Sequence, residues 1–564
     1  LAKGMNFSLT IDPEKELILF NIRSATRKYH VWNILNWLGI TESKMISAWG
    51  RSLHDKNKAA ALNGEVSDTA DLYKKLIKAE PINDLMQMQK ALAEYFKDTK
   101  MDAEVTGVTL GQPFSAADGE AILASTSKLL KINKGQAEQD SRDSLIFKKV
   151  LGPQDQLREY IKGNEKVLRS KIGNALKMRS DARELIPANL FTKPIKSFFT
   201  TADLSGTPPQ TNPVAMASNA RKTTPMGEGG IGSTHAITTD VRDFDPSQIG
   251  FLDGLATPEG LKVGVNLGLT SEVQKDGENL VTPVILPSGR TVTKSPMEMY
   301  RAIVGFPDEY TLKSGKPVPR KKLIKALKYH KLAEVPAEQV DFWFAAASSL
   351  FDLNSNLIPF LHSTQGNRGS TAGRMITQAL PLDNPEAPLT VTMREVDESS
   401  GYGTYEDLLG KWLLPTLEKA TGDRALGGTV QNITDDYIYI KDDDKKEHKI
   451  GLYKDFPLNQ DGYLNTVPIV KIGDKVSATQ VLSKSNYTDN TGRLALGTNL
   501  NVAYLPFKGN SFEDGATITE TAAKKLSHST IHKENIFFNP KFAQFSLKKF
   551  KVYYPDEFTP QQLA

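Results

Sequence analysis

"QTNPVAMASNARKTTPMGEGGIG", residues 210–232, lies where the composition and periodicity of the sequence change. Before it, residues 70–190 are rich in Lys, Gln and Ala and have a mostly helical pattern. From about residue 205 to residue 275 the chain is rich in Gly, Pro, Thr and Asn, with little periodicity. So long an irregular stretch inside a compact chain is usually functional or disordered. We therefore expect a functional region at the end of a helical first half.

The glycine run "GEGGIG" (227–232) matches the spacing G-x-G-x-x-G of dinucleotide-binding loops. Such a loop must follow a hydrophobic strand and open a helix, so that the helix N-terminus meets the pyrophosphate. The flanking stretches "NARKTTPM" and "STHAITTDV" are neither, which argues against a dinucleotide site. Glycines still let the backbone approach a phosphate, and Arg221 and Lys222 place positive charge beside the loop.

Patterns on either side of this segment predict an α+β, multidomain fold. Toward the N-terminus, residues 12–22 predict a strand, and apolar residues at helical spacing over 31–38 begin a helical hairpin. A DNA-reading helix-turn-helix is the alternative interpretation of that hairpin. Toward the C-terminus, residues 290–350 have a helical pattern, whereas strands dominate 388–520, including a hairpin around the charged turn 441–449.

Composition restricts the classes of function. The chain has 564 residues, which suggests roughly three to five domains. Its 70 Lys and Arg exceed its 66 Asp and Glu by only four, so nucleic-acid binding would use local patches of charge. The absence of cysteine excludes disulfides and cysteine-bound zinc, and the eight histidines show no metal-ligand spacing. No apolar run is long enough to span a membrane and no signal peptide is evident, so we expect a cytoplasmic protein.

Two adjacent carboxylates, Glu513 and Asp514, follow the apolar run "NVAYLPF". Neighbouring side chains on an extended chain point to opposite faces, so these two acids cannot easily hold one ion together. The stretch by itself favours a polar turn over a metal or acid–base site, and only its context can decide between them.

Four stretches of the chain together resemble the β subunit of multisubunit DNA-directed RNA polymerases. They are "DSLIFKKVLGPQDQLRE" (143–159), the opening segment with its continuation through "TPEGLKVG" (210–264), "LIPFLHSTQGNRGSTAGRMITQALPL" (357–382) and the run from "PIVKIGDKV" to "FEDGATITE" (468–520). Each stretch alone is a modest match, but all four in the family's order are specific. The resemblance covers most of the chain.

The resemblance implies a division into four parts. These are a lobe-like domain over 1–140, a protrusion and fork region over 141–275 with its fork loop at about 231–239, a helical region over 276–387 that leads into an active-site segment, and a β-rich part over 388–564. The last part would contribute to a double-psi β-barrel and end near the flap.

The resemblance also assigns roles to single positions. Arg368 matches the arginine that contacts the triphosphate of the incoming nucleotide, and its neighbour Asn367 would contact nucleic acid. A guanidinium is a planar, permanently charged partner for phosphate, which suits that role. The other matches are Glu259 beside the active centre; Asn212, Arg221, Lys222 and Gln378 along the RNA–DNA hybrid and the growing RNA; and Glu513 and Asp514 as outer acids near a second Mg²⁺.

The implied function is template-directed RNA synthesis from nucleoside triphosphates, by one subunit of a multisubunit enzyme with Mg²⁺ as cofactor. The lysine pair of the β-subunit barrel and the D-F-D-G-D triad of the β′ subunit are not found in the sequence. Either the chain is a fragment of a longer protein or β is split between two polypeptides. Expected partners are a β′-type subunit with the main Mg²⁺ ligands and, for a split β, a separate chain with the rest of it, together with DNA, RNA, NTPs and a promoter-specificity factor. Split β subunits indicate a large bacteriophage, and hence the host cytoplasm or the virion.

An architectural subunit, which holds DNA or partners without taking part in catalysis, is the alternative. Arg374 and Ser233 stand where the family usually has Asn and Arg, and these departures favour it. Retention of Arg368 and of the Glu513–Asp514 pair argues against it.

Overall fold

A computed structural model of the chain shows a mixed α/β protein with several separate sheets. Its residues form two compact units: Leu1–Ser205 with Thr223–Asp352, and Gly206–Lys222 with Leu353–Ala564. The structure describes residues 7–22, 27–141, 143–178, 189–202, 204–227, 230–392, 404–412, 414–416, 427–460, 462–505, 515–532, 534, 539, 546–554, 557–559 and 561–562.

The first unit begins with a small antiparallel sheet covered by helices. Strands β1 (Phe7–Asp12), β2 (Leu17–Ile22) and β3 (Lys28–His30) pair in sequence order. The helices are α1 (Val31–Trp37), α2 (Glu42–Trp49), α3 (Arg51–Leu76), α4 (Leu85–Asp98), α5 (Ala103–Leu110), α6 (Gly119–Asn133), α7 (Pro153–Gly163), α8 (Glu165–Met178) and α9 (Thr192–Thr201). The predicted strand within 12–22 and the mostly helical 70–190 are confirmed over the described residues. Val31, Ile34 and Leu35 are buried, as their spacing predicts.

A short helix starts the second unit. Asn212 caps α10 (Pro213–Ala220), and Pro213 at its first position has the fixed φ that suits a helix start. The chain then enters strand β4 (Lys222–Thr223) and returns to the first unit.

The rest of the first unit is mostly β structure. Its elements are β5 (Leu252–Asp253), β6 (Leu267–Leu269), β7 (Gln274–Asp276), β8 (Asn279–Ile285), β9 (Thr291–Lys294), α11 (Pro296–Tyr300), β10 (Ile303–Gly305), β11 (Tyr310–Lys313), β12 (Lys316–Pro319), β13 (Leu323–Lys328), β14 (Lys331–Pro336) and β15 (Phe342–Phe344). A seven-stranded sheet has the order β14–β13–β10–β15–β8–β7, with β9 beside β8. Phe251, Val284 and Phe344 are fully buried in its core.

The predicted helical structure over 290–350, and with it a helical region over most of 276–387, is wrong. Only Pro296–Tyr300 forms an α-helix between residues 290 and 350. In β13, Ile324 and Ala326 are buried whereas Lys325 between them is exposed, which is the alternation of a strand with one buried face.

Over its described residues, the second unit continues with three helices, several small sheets and two further helices. They are α12 (Leu353–Asn356), α13 (Gly366–Gln378), α14 (Tyr405–Trp412), β16 (Gly427–Ile433), β17 (Tyr437–Asp442), β18 (Glu447–Gly451), β19 (Phe456–Pro457), β20 (Tyr463–Leu464), β21 (Thr466–Pro468), β22 (Lys475–Ser477), β23 (Ser483–Ser485), α15 (Glu520–Lys525) and α16 (Leu547–Tyr553). The largest sheet is antiparallel, in the order β18–β17–β16–β22.

Predictions for the β-rich part have mixed outcomes. The hairpin around the charged turn 441–449 is confirmed as β17 and β18, with Lys445 at φ +64° in the turn. The strand expected in "LNVAYLPF" is absent from its described residues 500–505. The described strands of this part form sheets of two to four strands, and the double-psi barrel and the four-part division stay predictions.

Candidate nucleotide and nucleic-acid interface

Helix α13 carries three of the predicted site residues on a backbone that its glycines allow to pack closely. Gly369 and Gly373, one turn apart, are buried. A Cβ atom on Gly373 would lie 2.9 Å from Nδ2 of Asn354, the atom that donates a hydrogen bond to the Gly373 carbonyl over 2.7 Å. The glycine therefore lets α12 reach the backbone of α13 and fixes which face of α13 points outward.

Asn212 ties the end of α13 to the start of α10. Its Nδ2 donates to the carbonyls of Ile376 and Ala379, both over 2.8 Å, while its Oδ1 accepts from the amide of Ala215 over 2.9 Å. The residue is 1% exposed. No surface is left for the expected contact with nucleic acid, so Asn212 is a positioning residue in the free chain.

The outward side of α13 is mostly polar, although Met375 is also exposed there. Asn367, Thr371, Arg374 and Gln378 follow at intervals of four, three and four residues, which places them on one side of a helix. We call these four residues the polar stripe. Arg368 lies beside it in the first turn, with its side chain exposed and its amide donating to Oδ1 of Asn367 over 2.9 Å. Along the helix axis, Arg368 and Gln378 are separated by about 15 Å.

The cationic pair lies at the other end of α10 from Asn212. Arg221 ends the helix and is half-buried, whereas Lys222 is exposed. Cations at a helix C-terminus are stabilised by the partial negative charge of the last carbonyls. Arg221 and Lys222 belong to the same compact unit as α13.

Glu259 belongs to the first unit and is exposed on a tightly held loop. The Gly264 amide donates to Oγ1 of Thr257 over 2.8 Å, and Nη1 of Arg242 donates to the Val263 carbonyl over 2.7 Å. These bonds close the loop on both sides of Glu259, so the acid projects from a rigid base.

One residue that supports this loop was missed by the sequence analysis. Asp253 is 2% exposed, and its two oxygens accept from the amides of Leu255 and Asp352 over 2.8 and 2.9 Å. An acid inside the apolar stretch "GFLDGL" was the available signal, because buried carboxylates need hydrogen-bond donors.

The described residues of the glycine loop, 227 and 230–232, are held by backbone hydrogen bonds. The Ile231 amide donates to the Pro225 carbonyl over 2.9 Å, and a Cβ atom on Gly230 would lie 2.1 Å from that carbonyl oxygen. A three-residue 3-10 helix, Thr234–Ala236, follows it, with Ser233 accepting from the His235 amide. The turn therefore does not open an α-helix, which agrees with the rejection of a dinucleotide site.

Glu513 and Asp514 lie outside the described residues. Elsewhere, no three His, Asp or Glu side chains of the described chain are grouped so that they could hold a metal ion. Among the described helices, none is both long and apolar enough to cross a membrane.

Comparison with known proteins finds a family-model match within the region that was expected to contain the fork. The family model described as RNA polymerase Rpb2, domain 3, matches residues 207–274, which include Asn212, Arg221, Lys222 and Glu259. Over these residues the chain is similar to a domain of multisubunit RNA polymerases.

Curated relatives extend the similarity along the chain. The DNA-directed RNA polymerase subunits beta of Prochlorococcus marinus strains AS9601, MIT 9301 and MIT 9312 are each 27% identical to it, over 557, 559 and 557 residues. Each alignment covers 93% of this chain and 49% of the relative. The chain thus resembles the β subunits of multisubunit RNA polymerases, and it spans about half the length of these curated relatives.

Proposed function

We propose that the chain is a subunit of a DNA-dependent RNA polymerase and forms part of the cleft in which NTPs are added to RNA. The observation that carries this proposal is the arrangement of α13. One face of the helix is buried through Gly369 and Gly373, and the opposite side exposes Arg368 beside the polar stripe. A fixed helix with a free guanidinium in its first turn suits a triphosphate, because the helix N-terminus adds partial positive charge.

The other predicted site residues have different roles, which follow from the chemistry of their side chains. Gln378 and Asn367 carry amides that can donate to and accept from an RNA chain, and both are exposed. Arg221 and Lys222 would neutralise phosphates of the RNA–DNA hybrid. Glu259 would act beside the active centre from its rigid loop.

The Mg²⁺ ions are proposed to be held mainly by a partner. In the reaction two such ions stabilise the attacking and leaving oxygens. The described residues offer no group of ligands that fits such an ion, and the outer acids Glu513 and Asp514 are outside them. This chain's own part is therefore to bind and orient the nucleotide and the nucleic acid.

We further propose the partners of the assembled enzyme. A β′-type subunit would carry the Mg²⁺ ligands, and the part of the β-type sequence that the alignments do not cover would belong to the same enzyme. DNA, RNA, NTPs and a promoter-specificity factor would complete the complex. A bacteriophage source and action in the host cytoplasm belong to the same proposal.

The test is the Arg368→Ala variant in the complex purified with its native partners, assayed for NTP addition on a pre-melted template. Removing a charge-assisted hydrogen bond to phosphate should lower kcat/KM for NTPs by about 10- to 100-fold. Arg368→Lys should have a kcat/KM between those of the wild type and Arg368→Ala, since a lysine keeps the charge but loses the planar guanidinium. Arg169→Ala, an exposed arginine on α8, is the control.

Assembly decides how a negative result is interpreted. We expect Arg368→Ala to leave the subunit composition of the complex unchanged. If the variant assembles and synthesises RNA at the wild-type rate, the role of Arg368 is wrong and the architectural, non-catalytic subunit is favoured. Loss of the complex itself would also contradict the assigned role.

A further inference from the structure

Two hairpins of the first unit each end in a pair of lysines that lie opposite each other. In the hairpin of β11 and β12, Lys313 is paired with Lys316, and in the hairpin of β13 and β14, Lys328 is paired with Lys331. Directly opposed residues of antiparallel strands have Cβ atoms about 5 Å apart, so these like charges repel each other in the folded chain. The turns between them are tight, since all four turn residues have positive φ: Ser314, Gly315, Tyr329 and His330.

Positive charge is concentrated in this part of the sequence. Residues 313–331 contain eight lysines and arginines and no acid, whereas the whole chain has a net charge of only +4. Nζ of Lys331 lies 3.1 Å from Oε2 of Glu138. Among the described residues, no carboxylate forms an ion pair with the other three lysines of the two pairs. The hairpin ends therefore carry positive charge that a bound anion would neutralise.

Both hairpin ends lie at one edge of the seven-stranded sheet. Lys328 is opposite Ile303, the first residue of β10. Because β15 is parallel to β10 and antiparallel to β8, the end of β8 lies at this same edge. The turn after β8 touches the other hairpin, since a Cβ atom on Gly289 would lie 2.4 Å from the carbonyl oxygen of Gly315. Strands β13 and β8 are separated by three strand spacings, or roughly 14 Å, so the two lysine pairs flank one stretch of the edge.

An open groove of about 600 Å³ follows this edge from the end of β8 to the start of β10. Its lining includes two further cations, Lys294 and Arg301, and two acids. Both acids are engaged, since Glu298 accepts from Nζ of Lys294 over 2.8 Å and Asp341 accepts from a backbone amide over 2.8 Å. A third acid, Glu104, lines a shallow hollow that also contains Arg301. The exposed cations along this stretch, which we call the basic edge, are Arg290, Arg301, Lys313, Lys316, Lys328 and Lys331.

An exposed aromatic ring lies at one end of the basic edge. Tyr329, in the turn between Lys328 and Lys331, is 56% exposed. The centroid of its ring lies 5.6 Å from that of Tyr300, the residue that precedes Arg301. Proteins that bind single-stranded nucleic acid without reading its sequence combine cations for the backbone with aromatic rings on which bases stack. The basic edge offers both.

We propose that the basic edge binds a single strand of nucleic acid, with its phosphates along the groove and one base on the ring of Tyr329. A chain of phosphates between the two lysine pairs replaces the repulsion within each pair by attraction to the ligand. The inference goes beyond the proposed function and does not depend on it. The basic edge belongs to the first unit, whereas Arg368 and the polar stripe belong to the second.

Two other polyanions match the charge of the basic edge but not its ring. Duplex DNA presents phosphates, yet its bases are stacked on each other and leave no free face for Tyr329. An acidic polypeptide presents carboxylates and no base. The exposed ring therefore favours a single strand, and the experiment separates the three ligands.

The test measures the binding of labelled oligothymidine and oligouridine, about 20 nucleotides long, to the full chain by fluorescence anisotropy. The double variant Lys316→Gln with Lys328→Gln removes one charge from each pair. We expect about tenfold weaker binding at about 0.1 M salt. The slope of log K against log salt concentration should become shallower by about 1.4, since each phosphate contact to a single strand contributes about 0.7.

Folding and charge are controlled separately. The double variant should unfold at a temperature no lower than that of the wild type, because it relieves the repulsion within each pair. Lys90→Gln with Lys97→Gln makes the same change in charge at two exposed lysines of α4 and should bind like the wild type.

The variant Tyr329→Asn tests the ring, since Asn tolerates the positive φ of this turn position. Single-strand binding should weaken at least fivefold, while the salt dependence and the binding of a labelled duplex stay as in the wild type. Equal binding of the single strands by Tyr329→Asn and the wild type would overturn the choice of a single strand.

Crosslinking locates the strand on the chain. Oligonucleotides that contain 4-thiothymidine or 4-thiouridine should crosslink to peptides within 290–331. Wild-type affinity in the double lysine variant, crosslinks confined to other peptides, or displacement of the strand by polyglutamate as readily as by unlabelled oligothymidine would each overturn the proposal. Tight binding of either strand supports it, and the tighter of the two identifies DNA or RNA as the ligand. Binding at the basic edge by a complex that makes no RNA would contradict only the proposed function.

Discussion

Burial separates two residues that the family resemblance treats alike. Asn212 and Arg368 are both polar and both were expected to contact substrate or nucleic acid. The side chain of Asn212 forms hydrogen bonds with three backbone groups, whereas the side chain of Arg368 is exposed. The sequence reveals Asn212 as a helix cap through the following proline, but its bonds to the end of α13 join residues more than 160 positions apart. Local patterns cannot contain such a contact.

Asn212→Ala should loosen α13. The change removes a helix cap and two side-chain hydrogen bonds to the carbonyls of Ile376 and Ala379, so local opening of α13 should become easier by about 2–4 kcal/mol. Hydrogen exchange of the α13 amides in the full chain measures this directly. Asn219→Ala is the matched control, because it changes the same residue type on α10 where no side-chain hydrogen bond to described residues is made. Equal protection in both variants would contradict the role of Asn212.

At the scale of elements, the hairpin of β13 and β14 explains why the helical prediction failed. The stretch "LIKALKYHKLAEV" is rich in Leu, Ala, Lys and Glu, which favour helices. Its turn consists of Tyr329 and His330 at φ +51° and +54°, without the Gly or Asn that usually marks such a turn. Pairing with β10 and burial of alternate residues override the local preference. Neither the turn residues nor the local propensity of this stretch therefore indicated a hairpin.

His330 should make the first unit sensitive to mild acid. Its ring is buried against Tyr300, and burial lowers its pKa from 6.5 to about 4, although Asp245 opposes the shift. Below pH 6.5 the unfolded chain therefore binds a proton that the folded chain does not, so stability falls as the pH drops from 6.5 to about 4. The loss at pH 5 relative to pH 7 should be about 2 kcal/mol.

His330→Asn checks this expectation, since Asn tolerates a positive φ and does not titrate. Urea unfolding at pH 7 and pH 5 should show a smaller pH dependence for the variant than for the wild type. His235→Asn changes an exposed histidine and should leave the pH dependence as it is. If the free energy of unfolding changes equally between pH 7 and pH 5 in all three proteins, His330 is not the cause.

At the scale of the whole molecule, the chain crosses between its two units three times, after Ser205, Lys222 and Asp352. Each unit has its own core: Phe344 is fully buried in the first, and Leu409 is buried with Val214 in the second. The predicted site residues are divided in the same way, with Glu259 in the first unit and Arg368 in the second. Sequence order alone does not reveal this division, because residues 206–222 leave their neighbours in the chain to join α13.

Scanning calorimetry of the full chain should therefore show two transitions. Phe344→Ala removes a buried ring and should lower only the transition of the first unit, by an amount equivalent to about 3–5 kcal/mol. Leu409→Ala should lower only the other transition, by about 2–5 kcal/mol. A single transition that both variants shift equally would show that the units unfold together.

The sequence by itself indicated the similarity to RNA polymerase β subunits, the helical N-terminal part, the β17–β18 hairpin and the choice of Arg368 as a cation that suits phosphate. These features depend on residue types and short spacings, which a linear pattern records. Only the tertiary structure decided that residues 290–344 are mostly strands and that Asn212 positions α13 instead of facing solvent. Each of these depends on which distant groups exclude water from a residue, and burial is a property of the folded chain.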